Sequence, residues 1–249
     1  AVARGEFDLV YVAPERLGNR YTFEMVRALR PPLVAIDEAH CISQWGHDFR
    51  PEYLRLGEVL RALDPPHVLA CTATATPAVR DEILARLGLT TRDTSVVLRG
   101  FARPNLHLSC EEIDGQKARR DAAVAILLEV LGSSSEPKGG AIVYAATRKQ
   151  VEQVAEDLRR RGWNALPYHA GLDPKTRANT QDAFLMEDID VICATIAFGM
   201  GIDKPDVRFV IHYDMPKSIE NYYQETGRAG RDGLTGKCIA FYNYNDILR

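Results

Sequence analysis

The sequence predicts an α/β protein made of two parallel-sheet lobes, the first one truncated at its amino terminus. Three observations carry that prediction. Short apolar runs alternate with stretches of helical periodicity, as buried parallel strands joined by crossover helices require. Residues 99–105 (RGFARPN) break the alternation with Gly and Pro and read as a connection between lobes. After that break roughly five strands follow, enough for a complete doubly wound domain, whereas only about four precede it. The expected boundaries are 1–99 for the first lobe, 100–106 for the connection and 107–249 for the second lobe.

Taken in order, residues 8–13 (DLVYVA), Leu33–Ile36 (LVAI) and 68–72 (VLACT) are compact apolar runs that read as buried strands. Between the last two, residues 52–63 place Tyr53, Leu56, Leu60 and Leu63 on one helical face. A further helix starts at Thr76, its cap, with Pro77 in the first position, a stripe of Val79, Ile83, Leu84 and Leu87, and Gly88 as its stop. Beyond the connection, helix Gln116–Leu131 carries Ala123, Leu127, Leu128 and Leu131, and residues 132–140 (GSSSEPKGG) form a surface loop. Then come strand 141–145, helix 147–161, strand Ala165–Tyr168, helix 174–186 and strands Val191–Ala194 and 207–213. Thr147 and Gln150 make a T-x-x-Q capping box at the first of these helices. A helix from Ser218 and strand 237–242 finish the chain.

Of the 249 residues, 46% are hydrophobic and 26% charged, a composition able to bury a core. No apolar run approaches the ~20 residues that span a bilayer, and no basic start followed by an apolar segment marks a secretory leader. The first residue is not Met, so a preceding piece is expected. The five cysteines stand singly without a CxxC pair, which supports neither a metal site nor a disulfide framework and makes reduced thiols in a cytoplasmic protein the expectation. A net charge of -3 argues against a globally basic coat for nucleic acid but leaves room for a local basic groove.

Two segments carry chemistry. Asp37-Glu38-Ala39-His40 follows the apolar run LVAI directly, where ligands bind in open α/β sheets, and adjacent carboxylates there suit nucleotide hydrolysis. Asp37 would hold the water shell of Mg²⁺, and Glu38 would orient or deprotonate an attacking water. The bland alternative is an acidic helix start. The second segment, QETGRAGR at 224–231, sets Arg228 and Arg231 three apart, on one face if helical, able to reach a triphosphate. Its alternative is an exposed basic patch. Two glycines inside a helix would cost ~1 kcal/mol each, so they need a compensating reason such as close backbone approach.

Joined in this order, DEAH and QETGRAGR resemble the superfamily 2 helicases, and the residues between them narrow the likeness. CISQWGHDFRPEY at 41–53 resembles the aromatic-rich loop of the RecQ DNA helicases. TAT at 72–74 is similar to motif III, AIVYAATRKQV at 141–151 to motif IV, ATIAFGMGIDKP at 194–205 to motif V and the arginine segment to motif VI. The likeness runs from Tyr11 to the end.

It implies two RecA-like lobes and a set of roles. Asp37 and Glu38 are the Mg²⁺ and water-activating carboxylates, while His40 and Gln224 face one another across an ATP cleft. Arg228 and Arg231 sense the γ-phosphate, with Arg231 the main arginine finger; Asp203 holds the ribose and Gly201 joins it in the nucleotide-binding set. Thr147 and Thr195 touch the DNA backbone. In the loop 43–53, Trp45, Phe49 and Tyr53 lie four apart with Gln44, His47 and Arg50 interleaved, a base-stacking arrangement whose alternative is an ordinary core stripe. Pro51 favours a loop over a helix there. His169 and His212 receive no catalytic role.

The implied activity is ATP-dependent 3′-to-5′ DNA unwinding, with ATP, Mg²⁺, and single-stranded and duplex DNA as partners, in the cytoplasm, and at the nucleoid if the cell is bacterial. Departures from the family are equally plain. No GxxxxGK[ST] occurs in the chain, the adenine-reading glutamine segment is missing, and the chain stops before the four-cysteine zinc domain and winged helix, where any zinc would lie. The 249 residues are therefore expected to be an inactive fragment. The alternatives are a catalytically dead nucleic-acid-binding module and an RNA-directed superfamily 2 ATPase.

Overall fold

Parallel strands organise both halves of the chain, in a two-stranded and a six-stranded sheet. The computed structural model describes residues 2–4, 6–43, 49–73, 75–98, 100, 102–199 and 202–247, and the chain divides into two compact units, Ala1–Gly100 and Phe101–Arg249. Among the described residues no helix is long and apolar enough to cross a membrane.

The first unit opens with α1 (Pro14–Leu17) and α2 (Arg20–Ala28), the latter capped by the Asn19 side chain, which accepts from the Thr22 amide. Strands β1 (Leu33–Ile36) and β2 (His67–Ala70) pair in register from Leu33 with His67 to Ile36 with Ala70. Between them a 3₁₀ turn, Pro51–Arg55, leads into α3 (Leu56–Leu63). The chain then forms α4 (Pro77–Leu87), with the Thr76 hydroxyl accepting from the Val79 amide and Gly88 at φ +72° ending it, as its sequence predicts. Ile36, Ile42, Leu56, Leu60, Val79, Ile83 and Leu87 make the core. Gly57 lets α3 press onto α4, since a Cβ there would lie 2.1 Å from the Arg86 carbonyl oxygen.

Three expectations fail in this unit. Strands β1 and β2 form, but they are not buried along their length, Leu33 standing 50% and Leu69 48% exposed. Residues 8–13 form no strand, and Leu9 and Tyr11 stand 67% and 90% exposed. An apolar run becomes a strand only where a ladder edge receives it, and the described residues show β1 and β2 paired with each other alone. The apolar face of 52–63 does exist, but Pro51 starts it as a 3₁₀ turn rather than a continuous helix.

In the second unit the elements run β3 (Leu106–Glu112), α5 (Gln116–Leu131), β4 (Gly140–Tyr144), α6 (Arg148–Arg160), β5 (Ala165–Tyr168), α7 (Pro174–Leu185), β6 (Val191–Ala194), β7 (Val207–His212), α8 (Ile219–Thr226), β8 (Gly236–Tyr242) and α9 (Tyr244–Ile247). The sheet order is β3-β8-β7-β4-β6-β5, with every pair parallel. Alternate residues of the central strands feed two cores. Ala141, Val143, Phe209 and Ile211 pack with Leu127 of α5 and Leu158 of α6, while Ile142, Tyr144 and Val210 pack with Phe184 of α7. Strand β3, LHLSCEE, carries no sequence expectation, because it is a largely exposed edge strand with little apolar content. On α5, Ile126 and Arg119 are buried, whereas Leu128, assigned to the apolar stripe, is half exposed.

Arg119 ties three elements together. Its guanidinium donates to the carbonyls of Ile113 and Tyr213 and pairs with Asp214 at 3.3 Å and Asp246 at 2.6 Å. Asp214 in turn accepts from the Ala146 amide and the Gln150 side chain, which fixes the entry to α6. A buried pair that loses one partner leaves an uncompensated charge, at a cost of about 3–5 kcal/mol. Arg119→Ala should therefore lower the stability of the chain by about 3 kcal/mol, read from urea unfolding, and an unchanged midpoint would show that this ion cluster contributes nothing.

Candidate functional site

At the carboxyl end of β1 the backbone turns sharply. Glu38 sits at φ +48°, ψ +43°, a left-handed conformation that costs a non-glycine residue energy, and its amide donates to the Asp37 carboxylate at 2.8 Å. Two backbone bonds carry the β1–β2 pairing past the strand ends, from Cys71 N–H to Ile36 O and from Ala39 N–H to Cys71 O, each 2.9 Å. This hook turns Asp37 outward to solvent, leaves Glu38 half-buried and buries His40. The His40 Nδ1 stands 2.9 Å from the Thr72 hydroxyl and 3.3 Å from the Glu38 carboxylate, so DEAH and the TAT segment after β2 are joined through one imidazole.

The following loop returns onto the same place. The Arg50 amide donates to Cys41 O, the Ser43 hydroxyl donates to Glu82 at 2.6 Å, and the Tyr53 hydroxyl donates to Asp37 O at 3.4 Å. Tyr53 is buried, and burial above all pushes its phenol up from the ordinary value. Of the three aromatics four apart, Tyr53 is thus a core residue, while Phe49 stands 36% exposed. Gln44, Trp45 and His47 lie outside the described residues.

The donor set at Asp37 suits Mg²⁺. A single exposed carboxylate beside Glu38 offers hard oxygen ligands to an ion that keeps much of its water shell, and among the described residues no group of three or more His, Cys, Asp or Glu side chains is placed to hold a metal ion.

In the second unit the arginines are not on a helix. Helix α8, capped by Ser218, ends at Thr226, and residues 227–233 run as successive turns. The glycines explain the break. A Cβ on Gly227 would lie 2.9 Å from Tyr223 O, and one on Gly230, at φ +55°, would lie 2.6 Å from both the Asn105 side chain and Leu234 O. Close backbone approach is the compensating reason that two glycines in this stretch require. The Gly230 amide donates to Val207 O, and the Asp232 amide to Pro205 O, so the loop lies along the amino end of β7.

Arg231 reaches back to Asp203 in an exposed pair of 2.9 Å, which brings together two of the residues assigned to the nucleotide. Gly201 lies outside the described residues. Arg228 is buried, and its Nε has no hydrogen-bond partner among the described residues, an uncompensated donor that suits an incoming anion. It lies against Tyr144, whose hydroxyl donates to Phe198 O at 2.9 Å; burial raises that phenol more than the Arg228 charge lowers it. Gln224 is half-buried on the last turn of α8.

Two residues without an assigned role complete this corner. The buried Glu225 carboxylate lies 2.8 Å from His212 Nε2, and the His212 ring stacks on Tyr144 at 5.6 Å. Their pairing spans thirteen residues, which no local pattern reveals, although Glu225 stands inside the arginine segment itself.

Thr147 and Thr195 occupy the opposite, carboxyl edge of the sheet, after β4 and β6. Thr147 is exposed, its oxygen accepting the Gln150 amide and its hydroxyl donating to the Gln150 side chain; half of the capping box forms, and the Gln150 Nε2 turns to Asp214 instead. Thr195 is half-buried and its hydroxyl oxygen accepts from the Ala197 amide at 3.4 Å. Within this unit the sheet thus separates Thr147 and Thr195 from Asp203 and Arg231.

Comparison with known proteins gives a consistent picture. The family "DEAD/DEAH box helicase" matches residues 1–83, and the family "Helicase conserved C-terminal domain" matches residues 122–233. The chain is 44% identical over 242 residues to the ATP-dependent DNA helicase RecQ of Pasteurella multocida, covering 97% of this chain and 37% of that protein. It is 43% identical over 245 residues to the ATP-dependent DNA helicase RecQ of Bacillus subtilis, covering 98% and 40%. The chain therefore spans about two fifths of the length of these curated relatives. In fold it resembles the Mycobacterium smegmatis helicase Lhr, solved bound to ssDNA and AMP-PNP, at a TM-score of 0.72 and 20% identity, over 94% of this chain and 32% of that one.

The crowding at Gly230 is directly testable. Gly230→Ala combines a left-handed φ with two contacts of 2.6 Å, and should cost about 2 kcal/mol or more of stability in thermal unfolding. A variant as stable as the parent would mean that the loop relaxes freely.

Proposed function

This chain belongs to the RecQ-type superfamily 2 helicases, and from that premise we propose that it forms part of a motor coupling ATP hydrolysis to 3′-to-5′ movement on single-stranded DNA and to duplex unwinding. One observation carries the reading: the paired carboxylates Asp37 and Glu38 at the carboxyl end of β1, linked through buried His40 to Thr72. In this proposal Asp37 holds Mg²⁺ through its water shell. The metal, when bound, offsets the negative charge of the phosphates. Glu38 orients the attacking water and takes its proton, with its carboxylate placed by the left-handed backbone turn and by His40.

Arg231 is assigned as the main arginine finger, with Arg228 and Gln224 beside it in sequence. Its pairing with Asp203 is no obstacle, because an exposed ion pair contributes only about 0–1 kcal/mol, far less than a guanidinium gains on a phosphate carrying several charges. Exchange of that partner also frees Asp203 for the ribose, and Gly201, two residues earlier in the sequence, is assigned to the same nucleotide. Thr147, Thr195 and the loop residues Gln44, Trp45, His47, Phe49 and Arg50 are assigned to DNA. By itself the 249-residue chain, which contains no GxxxxGK[ST], is proposed not to turn over ATP.

In the complete protein, supplied with a Walker A segment, Arg231→Ala should lower kcat by about 10³-fold with a much smaller change in KM for ATP. Normal hydrolysis by that variant would remove the finger assignment. The loop is tested separately: Phe49→Ala should bring the ratio of DNA-stimulated to unstimulated ATPase close to one while binding of single-stranded DNA persists at fixed salt. Stimulation equal to that of the parent would return Phe49 to a packing role, and stronger activation by RNA than by single-stranded DNA would favour the RNA-directed alternative.

A further inference from the structure

We infer that Arg103 and Asn105, near the start of the second unit, are positioning residues that hold the arginine loop in the geometry its two arginines need. The inference rests on the reading that Arg228 and Arg231 meet the nucleotide. Arg103 Nη1 donates to Gly227 O and Nη2 to Gly230 O, both at 2.7 Å. Asn105 Nδ2 donates to Gly230 O and to Leu234 O, both at 2.8 Å, and the Asn105 carbonyl accepts the Gly236 amide.

The pattern is specific in a way that general stabilisation is not. Gly227 O and Gly230 O belong to the peptide units directly before Arg228 and Arg231. One planar fork therefore grips the peptide that leads into each assigned arginine and fixes the orientation of both. The loop needs such a grip, because its glycines carry no side chains to anchor it and helix α8 has already ended. The Arg103 cation also stands at the carboxyl terminus of α8, where a positive charge is favoured by the helix dipole. Neither Arg103 nor Asn105 touches the reacting atoms in this account. They act through the loop.

The test compares Arg103→Ala, Arg103→Lys, Arg231→Ala and the double variant Arg103→Ala/Arg231→Ala in the complete protein. Misplacing a catalytic group by about 1 Å costs on the order of 10²-fold in rate. Arg103→Ala should accordingly lower kcat by roughly ten- to a hundredfold per folded molecule, with KM for ATP within about threefold. Arg103→Lys, which can donate to one carbonyl but cannot form the fork, should fall between Arg103→Ala and the parent. The double variant should be no slower than Arg231→Ala, because the clamp has no finger left to place. Amide hydrogen exchange over residues 228–234 gives a readout that does not need the finger assignment, and it should quicken in Arg103→Ala.

An unchanged kcat with unchanged exchange in the folded Arg103 variants overturns the inference, as does a double variant whose losses multiply. If Arg231→Ala hydrolyses ATP normally while exchange still quickens in Arg103→Ala, the catalytic reading of the loop falls and the clamp is only structural. Should Arg103→Ala fail to fold, Arg103→Lys retains one donor and carries the same comparison.

Discussion

Parallel strand pairing is the constraint from which the rest of this chain follows. Each parallel pair obliges the chain to return across a face of the sheet before it can start the next strand, so helices cover the sheet and loops gather at its two edges. In the second unit that rule buries β4, β6 and β7 on both faces and leaves β3 and β5 as edges. It also sorts the loops. Those that follow strands hold Thr147 and Thr195, whereas the turns that precede β7 and β8 hold Asp203 and Arg231. A sheet of mixed direction would interleave the two groups.

Burial of polar groups sets a second layer. Arg119, His212, Glu225 and Arg228 are all buried, and such groups are tolerated inside a protein only where partners repay their lost hydration. Arg119 has carbonyls and carboxylates around it, and Glu225 faces His212. Two atoms in this corner are enclosed without a hydrogen-bond partner among the described residues, His212 Nδ1 and Arg228 Nε, the latter within the arginine segment. The loop therefore stores an unmet hydrogen bond next to a conformation that only its glycines permit. Stability is given up at the place where a phosphate is assigned to bind.

Much of the fold was legible because its signals are local. Thr76, Pro77 and Gly88 delimit the eleven residues of α4, and Thr147 and Asp173 cap α6 and α7 next to the runs they start. DEAH is legible for the same reason, being four consecutive residues after an apolar run. What escaped depends on distant partners. LHLSCEE became a strand because β8 offers it an edge, whereas DLVYVA pairs with no strand among the described residues. The spacing of Arg228 and Arg231 suggested a helix face, but the close approach of Asn105 and Leu234 to Gly230 decides the backbone there. Tyr53 shares its spacing with Phe49, and only the fold shows that one is buried and the other is not.

The small sheet of the first unit has a practical consequence. Within the described residues β1 and β2 each pair on one side only, and Leu33 and Leu69 stand 50% and 48% exposed on their faces. Unpaired strand edges flanked by exposed aliphatic side chains are templates for intermolecular pairing. Handled as an isolated polypeptide at high concentration, Ala1–Gly100 is therefore set to self-associate through added strands, and its solubility becomes a question of what else occupies those edges.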